Sequence, residues 1–261
     1  MKKSDVELKE VIRDLLLTKN DYKLVDKYVL RDGKTHPFAI LVPGGGYNLV
    51  CSCMEGVPIA KRLNSLGYSA FILYYHVKKA ARFPAPQDDL ARAVKEIFAR
   101  AEEYDLDTKN YSIWGASAGG HLVGSFGTDS MGYPKYDLPK PGALVLSYPV
   151  ISMEKELTHM DSHDALLGKT ATEPQEIAAS VDLQVTPNYP PTYIWCGDAD
   201  KTVSPENTKR MASALDKAGV SYQCEVFPGV DHGIGTGLGT AADGWIHHAV
   251  DFWQNQRSID Q

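Results

Sequence analysis

The sequence has no long uninterrupted run of apolar residues. No stretch is long and apolar enough to cross a lipid bilayer, which argues against a membrane-spanning protein. Residues 1–3 resemble the start of a secretion signal, but charged residues interrupt residues 4–17, where a signal needs an apolar core. We therefore expect a cytoplasmic protein with no membrane partner.

Cysteine is scarce, and neither sign of charge dominates. The cysteines follow neither a CxxC pattern nor a zinc-binding spacing; they are Cys51, Cys53, Cys196 and Cys224. We expect free thiols in a reducing compartment, with no metal site and no cofactor. Acidic residues outnumber basic residues by 33 to 27, whereas nucleic-acid binding needs a basic surface, so we expect no nucleic-acid partner.

Short apolar segments alternate with amphipathic segments along the chain. Runs of five or six apolar residues are typical of strands buried on both faces of a sheet, and apolar residues three and four positions apart predict helices. The predicted strands cover residues 22–30, 38–42, 70–75, 143–148, 192–196 and 222–227, with one more from residue 111. The predicted helices cover residues 57–66, 84–103, 204–218 and 243–254, with a short one within residues 4–17.

This alternation predicts an α/β fold in which helices cover both faces of a mostly parallel central sheet. No linker, repeat or low-complexity segment divides the chain, so we expect a single domain over residues 1–261. Residues 152–191 are polar and rich in proline, threonine and histidine. Long irregular segments of compact domains tend to be lids or binding loops, and we expect this one to form a small cap.

The motif Gly-x-Ser-x-Gly at residues 115–119 follows an apolar segment and precedes small residues that can begin a helix. This pattern is typical of a nucleophile elbow, in which a strained turn between a strand and a helix exposes a serine. Glycines flank Ser117 because a larger side chain would collide with the crossing backbone. The N–H of Ala118 would face an anion at the helix start. The alternative is a glycine-rich helix start that contains a serine by chance.

A serine nucleophile also needs a base and an acid. In a doubly wound sheet such groups lie at the C-terminal ends of the strands. Asp198 and Asp200 follow the predicted strand 192–196, and His232 follows the strand 222–227. Serine, then aspartate, then histidine is the chain order of α/β-hydrolases. Spacing alone does not choose between the two aspartates.

A glycine run at residues 43–47 comes directly after a buried strand. Such a run can turn its N–H groups toward a substrate oxygen. We expect the N–H groups of Gly45 and Gly46, together with that of Ala118, to form an oxyanion hole. By itself, the glycine run also fits a plain turn.

The other histidines are weaker candidates for a catalytic base. His121 lies one helical turn after Ser117, and we expect it to be a hydrogen-bonded core residue. His159 and His163 lie in the predicted cap with the spacing of a metal-binding pair, but no third ligand with a suitable spacing accompanies them. We therefore expect no metal site.

Together these motifs resemble the esterase/lipase branch of the α/β-hydrolase superfamily, on its hormone-sensitive-lipase-like side. The chain is most similar to bacterial acetyl esterases and acetyl xylan esterases, including the bifunctional feruloyl and acetyl xylan esterase group. The resemblance extends from Phe38 to the C-terminus and includes residues 55–60, 66–68, 115–122, 166–168, 190–191 and 231–233.

The resemblance implies an α/β-hydrolase fold and a catalytic triad of Ser117, Asp200 and His232. The family pattern Gly-x-x-Asp-x-x-Val falls on residues 197–203 and so selects Asp200 as the acid. Pro43 replaces a histidine of the wider superfamily, as it also tends to do in the carbohydrate esterases. Tyr75-His76 stands where Tyr-Arg is commoner.

The expected reaction is hydrolysis of a short-acyl ester, such as an acetylated xylo-oligosaccharide, because little apolar sequence is left to line a fatty-acyl tunnel. Aromatic faces suit sugar rings, so we expect Tyr47, Tyr75 and Trp195 to line the pocket. An aryl esterase, amidase or small peptidase would fit the same triad. A third alternative is a hydrolase fold retained as a non-catalytic binding module. The oligomeric state is left open, a homo-oligomer included.

Overall fold

A computed structural model of the chain describes residues 24–257. The helix predicted within residues 4–17 lies outside the described residues, as do the first two residues of the predicted strand 22–30. Within the described part, no helix has the length and apolar character needed to cross a membrane.

Residues 24–257 contain one seven-stranded sheet with the spatial order β1-β3-β2-β4-β5-β6-β7. Its strands are β1 (Val25–Tyr28), β2 (His36–Val42), β3 (Ser69–Leu73), β4 (Leu106–Ala116), β5 (Ala143–Ser147), β6 (Thr192–Gly197) and β7 (Tyr222–Phe227). β1 pairs antiparallel with β3, and every other neighbouring pair is parallel. The carboxyl ends of β2 to β7 therefore meet at one edge of the sheet.

Helices follow each of the strands β2 to β7 along the chain. They are α1 (Ser52–Glu55), α2 (Val57–Ser65), α3 (Ala85–Ala99), α4 (Ala118–Phe126), α5 (Met160–Leu166), α6 (Glu173–Ala179), α7 (Glu206–Lys217) and α8 (Trp245–Arg257). The sequence predicted α2, α3, α7 and α8 within a few residues of these bounds. The helix predicted over 84–103 ends at Ala99, where the N–H groups of Arg100 and Ala101 donate to the carbonyls of Ile97 and Phe98, and residues 100–105 form turns before β4.

The sheet separates two hydrophobic cores. Along β2, Phe38 and Ile40 pack on one face, and Ala39 and Leu41 pack on the other. α3, α4 and α7 cover the first face, whereas α2 and α8 cover the second. Burial on both faces explains why this strand is apolar at every position from residue 38 to 42. The predicted parallel sheet with helices on both faces is confirmed.

The segment predicted to form a cap, residues 152–191, contains the two seven-residue helices α5 and α6. Apolar periodicity did not predict them, because two turns are too short to show it. The segment is anchored on α7, where Asn207 Oδ1 accepts the N–H groups of Ile151 and Ser152, each at 3.0 Å. The N–H of Met153 donates to Ser180 Oγ at 2.8 Å. The beginning of the segment is thus held near the carboxyl edge of the sheet.

Candidate active site

Ser117 occupies the turn between the end of β4 and the start of α4. Its backbone has φ +53° and ψ −121°, a conformation that residues with a side chain rarely adopt. Its N–H donates to the carbonyl of Ser147 at 3.0 Å, which holds the turn against β5. Backbone strain of this kind is found mainly where function requires it.

The glycines around Ser117 are required because no side chain fits between the turn and the neighbouring backbone. A Cβ atom on Gly119 would lie 2.1 Å from the carbonyl oxygen of Val42, where β2 passes the turn. A Cβ atom on Gly115 would lie 2.3 Å from the carbonyl oxygen of Gly119. Both contacts are far shorter than van der Waals distance, so only glycine allows the turn to close, as the motif predicted.

The structure brings Ser117, His232 and Asp200 together from three separate loops. Ser117 Oγ lies 2.9 Å from His232 Nε2, and His232 Nδ1 lies 2.6 Å from Asp200 Oδ2. The Asp200 side chain is fully buried, while that of His232 keeps a small exposed fraction. An ionised carboxylate can only accept, so His232 Nδ1 carries the proton and Nε2 is left to accept the serine proton.

The second aspartate of this loop has a different partner. Asp198 Oδ1 accepts the N–H of Gly229 at 2.6 Å, in the turn that leads from β7 toward His232. Asp231 accepts the N–H of His232 itself at 2.8 Å. Of these three aspartates, it is therefore Asp200 that contacts the imidazole ring, the residue that the family pattern selected.

The glycine run after β2 lies beside Ser117. Gly45 and Gly46 have φ values of +124° and +61°, and both line the same cavity as Ser117 and His232. Ala118 follows Ser117 directly and begins α4, so its N–H lies at a helix N-terminus. The three residues predicted to form the oxyanion hole thus lie around the nucleophile.

This cavity has a volume of about 410 Å³. It is lined by Gly45, Gly46, Asn48, Cys51, Met54, Glu55, Ser117, His159, Asp161, Thr202, His232 and Gly233. His159 and Asp161 come from the predicted cap, and burial lowers the pKa of His159. Sequence reasoning missed Glu55, His159 and Asp161 as site residues. Glu55 begins the segment 55–60 that resembles the family, which was a signal that could have found it, whereas His159 and Asp161 carry no motif that points to this cavity.

The three aromatic residues predicted to line the pocket require a correction. Tyr47, Tyr75 and Trp195 are buried and do not line the cavity. Tyr47 and Tyr75 donate their hydroxyls to His121 Nδ1 at 2.9 Å and to the Pro43 carbonyl at 2.8 Å. Trp195 packs with other aromatic rings below the site. Their position near strand ends places them under the loops, where they support the site instead of facing substrate.

His121 is a hydrogen-bonded core residue, as expected. It is fully buried, and this burial lowers its pKa from 6.5 to about 4. The neutral ring donates from Nε2 to the carbonyl of Ala179 at 2.9 Å and accepts the Tyr47 hydroxyl at Nδ1. It thereby connects the end of α6 to the glycine-rich loop.

The two histidines of the predicted cap do not converge on a common point. His159 Nδ1 lies 2.9 Å from Ser162 Oγ, and His163 Nε2 lies 3.1 Å from Glu176 Oε1. Across residues 24–257, no group of three or more histidine, cysteine, aspartate or glutamate side chains is arranged to hold a metal ion.

Comparison with known proteins places this chain in a family. The family model BD-FAE matches residues 26–215. Endo-1,4-beta-xylanase B of Butyrivibrio fibrisolvens is 34% identical over 240 residues, which are 88% of this chain and 38% of that protein. Acetylxylan esterase of Xylanibacter ruminicola is 29% identical over 75% of this chain and 40% of that protein. The chain thus spans about two fifths of the length of these curated relatives.

Solved structures share the fold. The acetyl ester-xyloside bifunctional hydrolase of Caldicellulosiruptor lactoaceticus superposes with a TM-score of 0.79 and 31% identity, over 93% of this chain and 92% of that one. The carboxylesterase Cest-2923 of Lactobacillus plantarum superposes with a TM-score of 0.75 and 22% identity, over 92% and 95% of the two chains. The resemblance inferred from the motifs is confirmed: the chain has the α/β-hydrolase fold and belongs to the BD-FAE family.

Proposed function

We propose that this chain is a serine esterase that removes acetyl groups from acylated oligosaccharides such as xylo-oligosaccharides. The observation that carries the proposal is the continuous contact from Ser117 Oγ to His232 and on to Asp200, built on a strained elbow. The names of the relatives support it, since they include an acetylxylan esterase and an acetyl ester-xyloside hydrolase.

The proposed reaction begins with attack of Ser117 Oγ on the ester carbonyl. His232 Nε2 accepts the serine proton, and the Asp200 carboxylate stabilises the imidazolium without taking the proton itself. The carbonyl oxygen becomes an oxyanion, which the N–H groups of Gly45, Gly46 and Ala118 stabilise. One donor of this kind contributes about 3 kcal/mol to the stability of the transition state.

Two further steps complete the cycle. Collapse of the tetrahedral intermediate breaks the ester C–O bond, and His232 gives the proton to the departing sugar oxygen, which leaves as a hydroxyl. Water, activated by the same imidazole, then attacks the acetyl-Ser117 carbonyl and releases acetate and the free serine. All proton transfers run through Nε2, which lies 2.9 Å from Ser117 Oγ in a residue that lines the cavity.

The volume of the cavity and some of its polar side chains support a small acyl group and a polar alcohol. Its volume of about 410 Å³ lies near the lower end for small-molecule sites. Asn48, His159, Asp161 and Thr202 line it with groups that can bond sugar hydroxyls. A cavity of this volume favours a short acyl chain over a long fatty-acyl chain.

A substrate panel tests this proposal. kcat/KM is measured for acetylated xylo-oligosaccharides, for p-nitrophenyl acetate, butyrate and octanoate, and for p-nitroacetanilide. We expect the acetyl esters to be cleaved best and the rate to fall with acyl length. Faster cleavage of the anilide would favour an amidase or peptidase and overturn the esterase assignment.

Active-site labelling provides the second half of the test. A fluorophosphonate probe should label the wild-type protein and Ser125→Ala, which changes a buried serine of α4, but should not label Ser117→Ala. Wild-type protein that neither reacts with the probe nor cleaves any ester would instead support a non-catalytic binding module. Labelling of Ser117→Ala would show that another serine is the nucleophile.

A further inference from the structure

A buried carboxylate connects the two loops that surround Ser117. Glu55, in α1, is 6% exposed. Its Oε2 accepts the N–H of Gly44 at 2.7 Å, next to the glycines of the proposed oxyanion hole. Its Oε1 accepts the hydroxyl of Tyr148 at 2.9 Å. One side chain is therefore bonded both to the glycine-rich loop and, through Tyr148, to the part of the site that contains His232.

Tyr148 continues this connection to the His232 loop. Its hydroxyl oxygen accepts the N–H of Gly235 at 3.2 Å, three residues after His232. Its ring lies against the imidazole of His232, with ring centroids 4.9 Å apart and an interplanar angle of 66°. The backbone of Tyr148 has φ +37°, an uncommon value for a residue with a side chain. A strained conformation thus directs this ring between Glu55 and the proposed base.

Gly44 is held between Glu55 and the nucleophile. A Cβ atom on Gly44 would lie 2.7 Å from Ser117 Cβ and 2.9 Å from Glu55 Oε2. The hydrogen bond from its N–H to Glu55 therefore determines how closely this loop approaches Ser117. A shift of Gly44 would also move Gly45, the next residue along the loop.

Burial and hydrogen bonds determine which groups of this network carry a charge. Burial raises the pKa of Glu55, and the hydrogen bonds from Gly44 and Tyr148 and the charge of His232 lower it in part. Burial also raises the pKa of Tyr148 well above 10, so the phenol keeps its proton and is the donor to Glu55. An ionised Glu55 receives two donors and lies where it attracts a positively charged His232.

We propose that Glu55 and Tyr148 are positioning residues of the proposed esterase: the ionised carboxylate holds the glycine-rich loop and the His232 loop in register around Ser117 and stabilises the imidazolium that forms during turnover. The inference rests on the proposed function, because it assigns a role within that reaction. In this proposal neither residue binds the substrate directly. Their effect is exerted through Gly44, Gly235 and His232.

The variants Glu55→Gln and Tyr148→Phe test the inference, with Glu225→Gln and Tyr193→Phe as matched controls. Tyr193 donates to Glu225 Oε2 at 2.5 Å, which is the same type of pair, and neither control residue lines the cavity. With p-nitrophenyl acetate we expect Glu55→Gln to lower kcat by roughly 100-fold while KM changes by less than about threefold. We expect a decrease of roughly tenfold for Tyr148→Phe and changes within about twofold for both controls.

The pH–rate profile separates positioning from a general structural effect. The ionisable groups around His232 are Asp200, Glu55, Tyr148, His159 and Asp231, whose carboxylate accepts the N–H of His232. Cys51 and Asp161 line the same cavity. Loss of the Glu55 charge should shift the acid limb of the kcat/KM profile to lower pH, because the imidazolium is then less stabilised. Neither control variant should shift it, and Glu55→Asp, which keeps the charge, should keep the acid limb near its wild-type position.

The inference would be overturned if Glu55→Gln folds, keeps the wild-type kcat and shows no shift in the acid limb of its pH–rate profile. If Glu55→Gln does not fold, Tyr148→Phe decides, since wild-type kcat in that variant would also overturn it. These outcomes differ from failure of the proposed function, in which the wild-type protein itself neither cleaves esters nor reacts with the fluorophosphonate probe.

Discussion

His232 Nδ1 donates a hydrogen bond to Asp200 Oδ2 at 2.6 Å, on the side of the ring opposite Ser117. The other oxygen of the carboxylate accepts the N–H groups of Thr202 and Val203, each at 2.9 Å. Both oxygens are therefore held, and the carboxylate cannot rotate without losing these bonds. The imidazole in turn is fixed with its unprotonated Nε2 toward the serine.

This geometry predicts that substitution of Asp200 abolishes most of the activity, whereas substitution of Asp198 changes it little. Asp200→Asn should lower kcat by about 10⁴-fold, because the amide favours the wrong imidazole tautomer and removes the charge that stabilises the imidazolium. Asp198→Asn should stay within about threefold of wild type, since its amide oxygen can still accept the N–H of Gly229. Steady-state hydrolysis of p-nitrophenyl acetate measures both. A larger loss in Asp198→Asn than in Asp200→Asn would refute the assignment of the acid.

Gly44→Ala should lower activity through a steric clash alone. The new Cβ would lie 2.7 Å from Ser117 Cβ and 2.8 Å from the Ala116 carbonyl oxygen, so the loop must move away from the elbow. A misplacement of this kind near an oxyanion hole should lower kcat/KM by roughly 100-fold or more.

Gly33→Ala is the control for this substitution. Nothing lies within 4 Å of its added Cβ, but its φ is +76°. It should therefore destabilise the protein by about 1 kcal/mol without a change in kcat/KM. Thermal melts and steady-state kinetics on both variants provide the comparison, and equal activity of Gly44→Ala and wild type would contradict the proposed close packing.

Glu55 should oppose stability while it supports activity. Its pKa is raised by burial above the ordinary value of 4.5, so the folded protein binds a proton that the unfolded chain releases. The free energy of unfolding therefore falls as pH rises through the window just above 4.5, and it stays lower at neutral pH. Glu55→Gln removes this penalty, and we expect it to unfold at the same or a higher denaturant concentration at pH 7.

Glu225 provides the opposite case. Its burial raises the pKa, but hydrogen bonds from Tyr193, His248 and Gln223 outweigh this effect and lower the pKa overall. Its ionised form thus stabilises the fold above the ordinary pKa, and Glu225→Gln should lower the free energy of unfolding at pH 7. Urea unfolding of both variants at pH 7 tests the contrast, and a clear loss of stability in Glu55→Gln would show that its role is mainly structural.

His121 should make the protein sensitive to acid. Its folded pKa is about 4 against an ordinary value of 6.5. Between these pH values the unfolded chain binds a proton that the folded protein does not, so the free energy of unfolding falls as pH decreases. The expected loss is about 3 kcal/mol across that window.

His121→Gln isolates this contribution, because glutamine can still donate to the Ala179 carbonyl but does not titrate. Urea unfolding at several pH values between 4 and 7 should show a flatter pH dependence in this variant than in wild type. Parallel curves for the two proteins would mean that His121 does not remain neutral in the folded state.

Much of the fold could be predicted from local patterns. The run at residues 38–42 is apolar throughout because both faces of β2 are buried, and this is visible in a single segment. β4 was predicted to begin at residue 111 but begins at Leu106, because its polar first half carries no such pattern. The helices α5 and α6 were missed because seven residues do not show a helical period.

The sequence by itself determined the elbow at Ser117 and the positions of Asp200 and His232 after successive strands, because motif and strand order are properties of the chain alone. Tertiary structure alone decided that Asp198 turns to Gly229, that Tyr47, Tyr75 and Trp195 lie under the site, and that Glu55 meets Tyr148. The physical reason is that each of these outcomes depends on a contact between residues far apart in sequence. Glu55 lies in the helix after β2, Tyr148 comes directly after β5, and the two residues are 93 positions apart. They become partners only because β2 and β5 end at the same edge of the sheet.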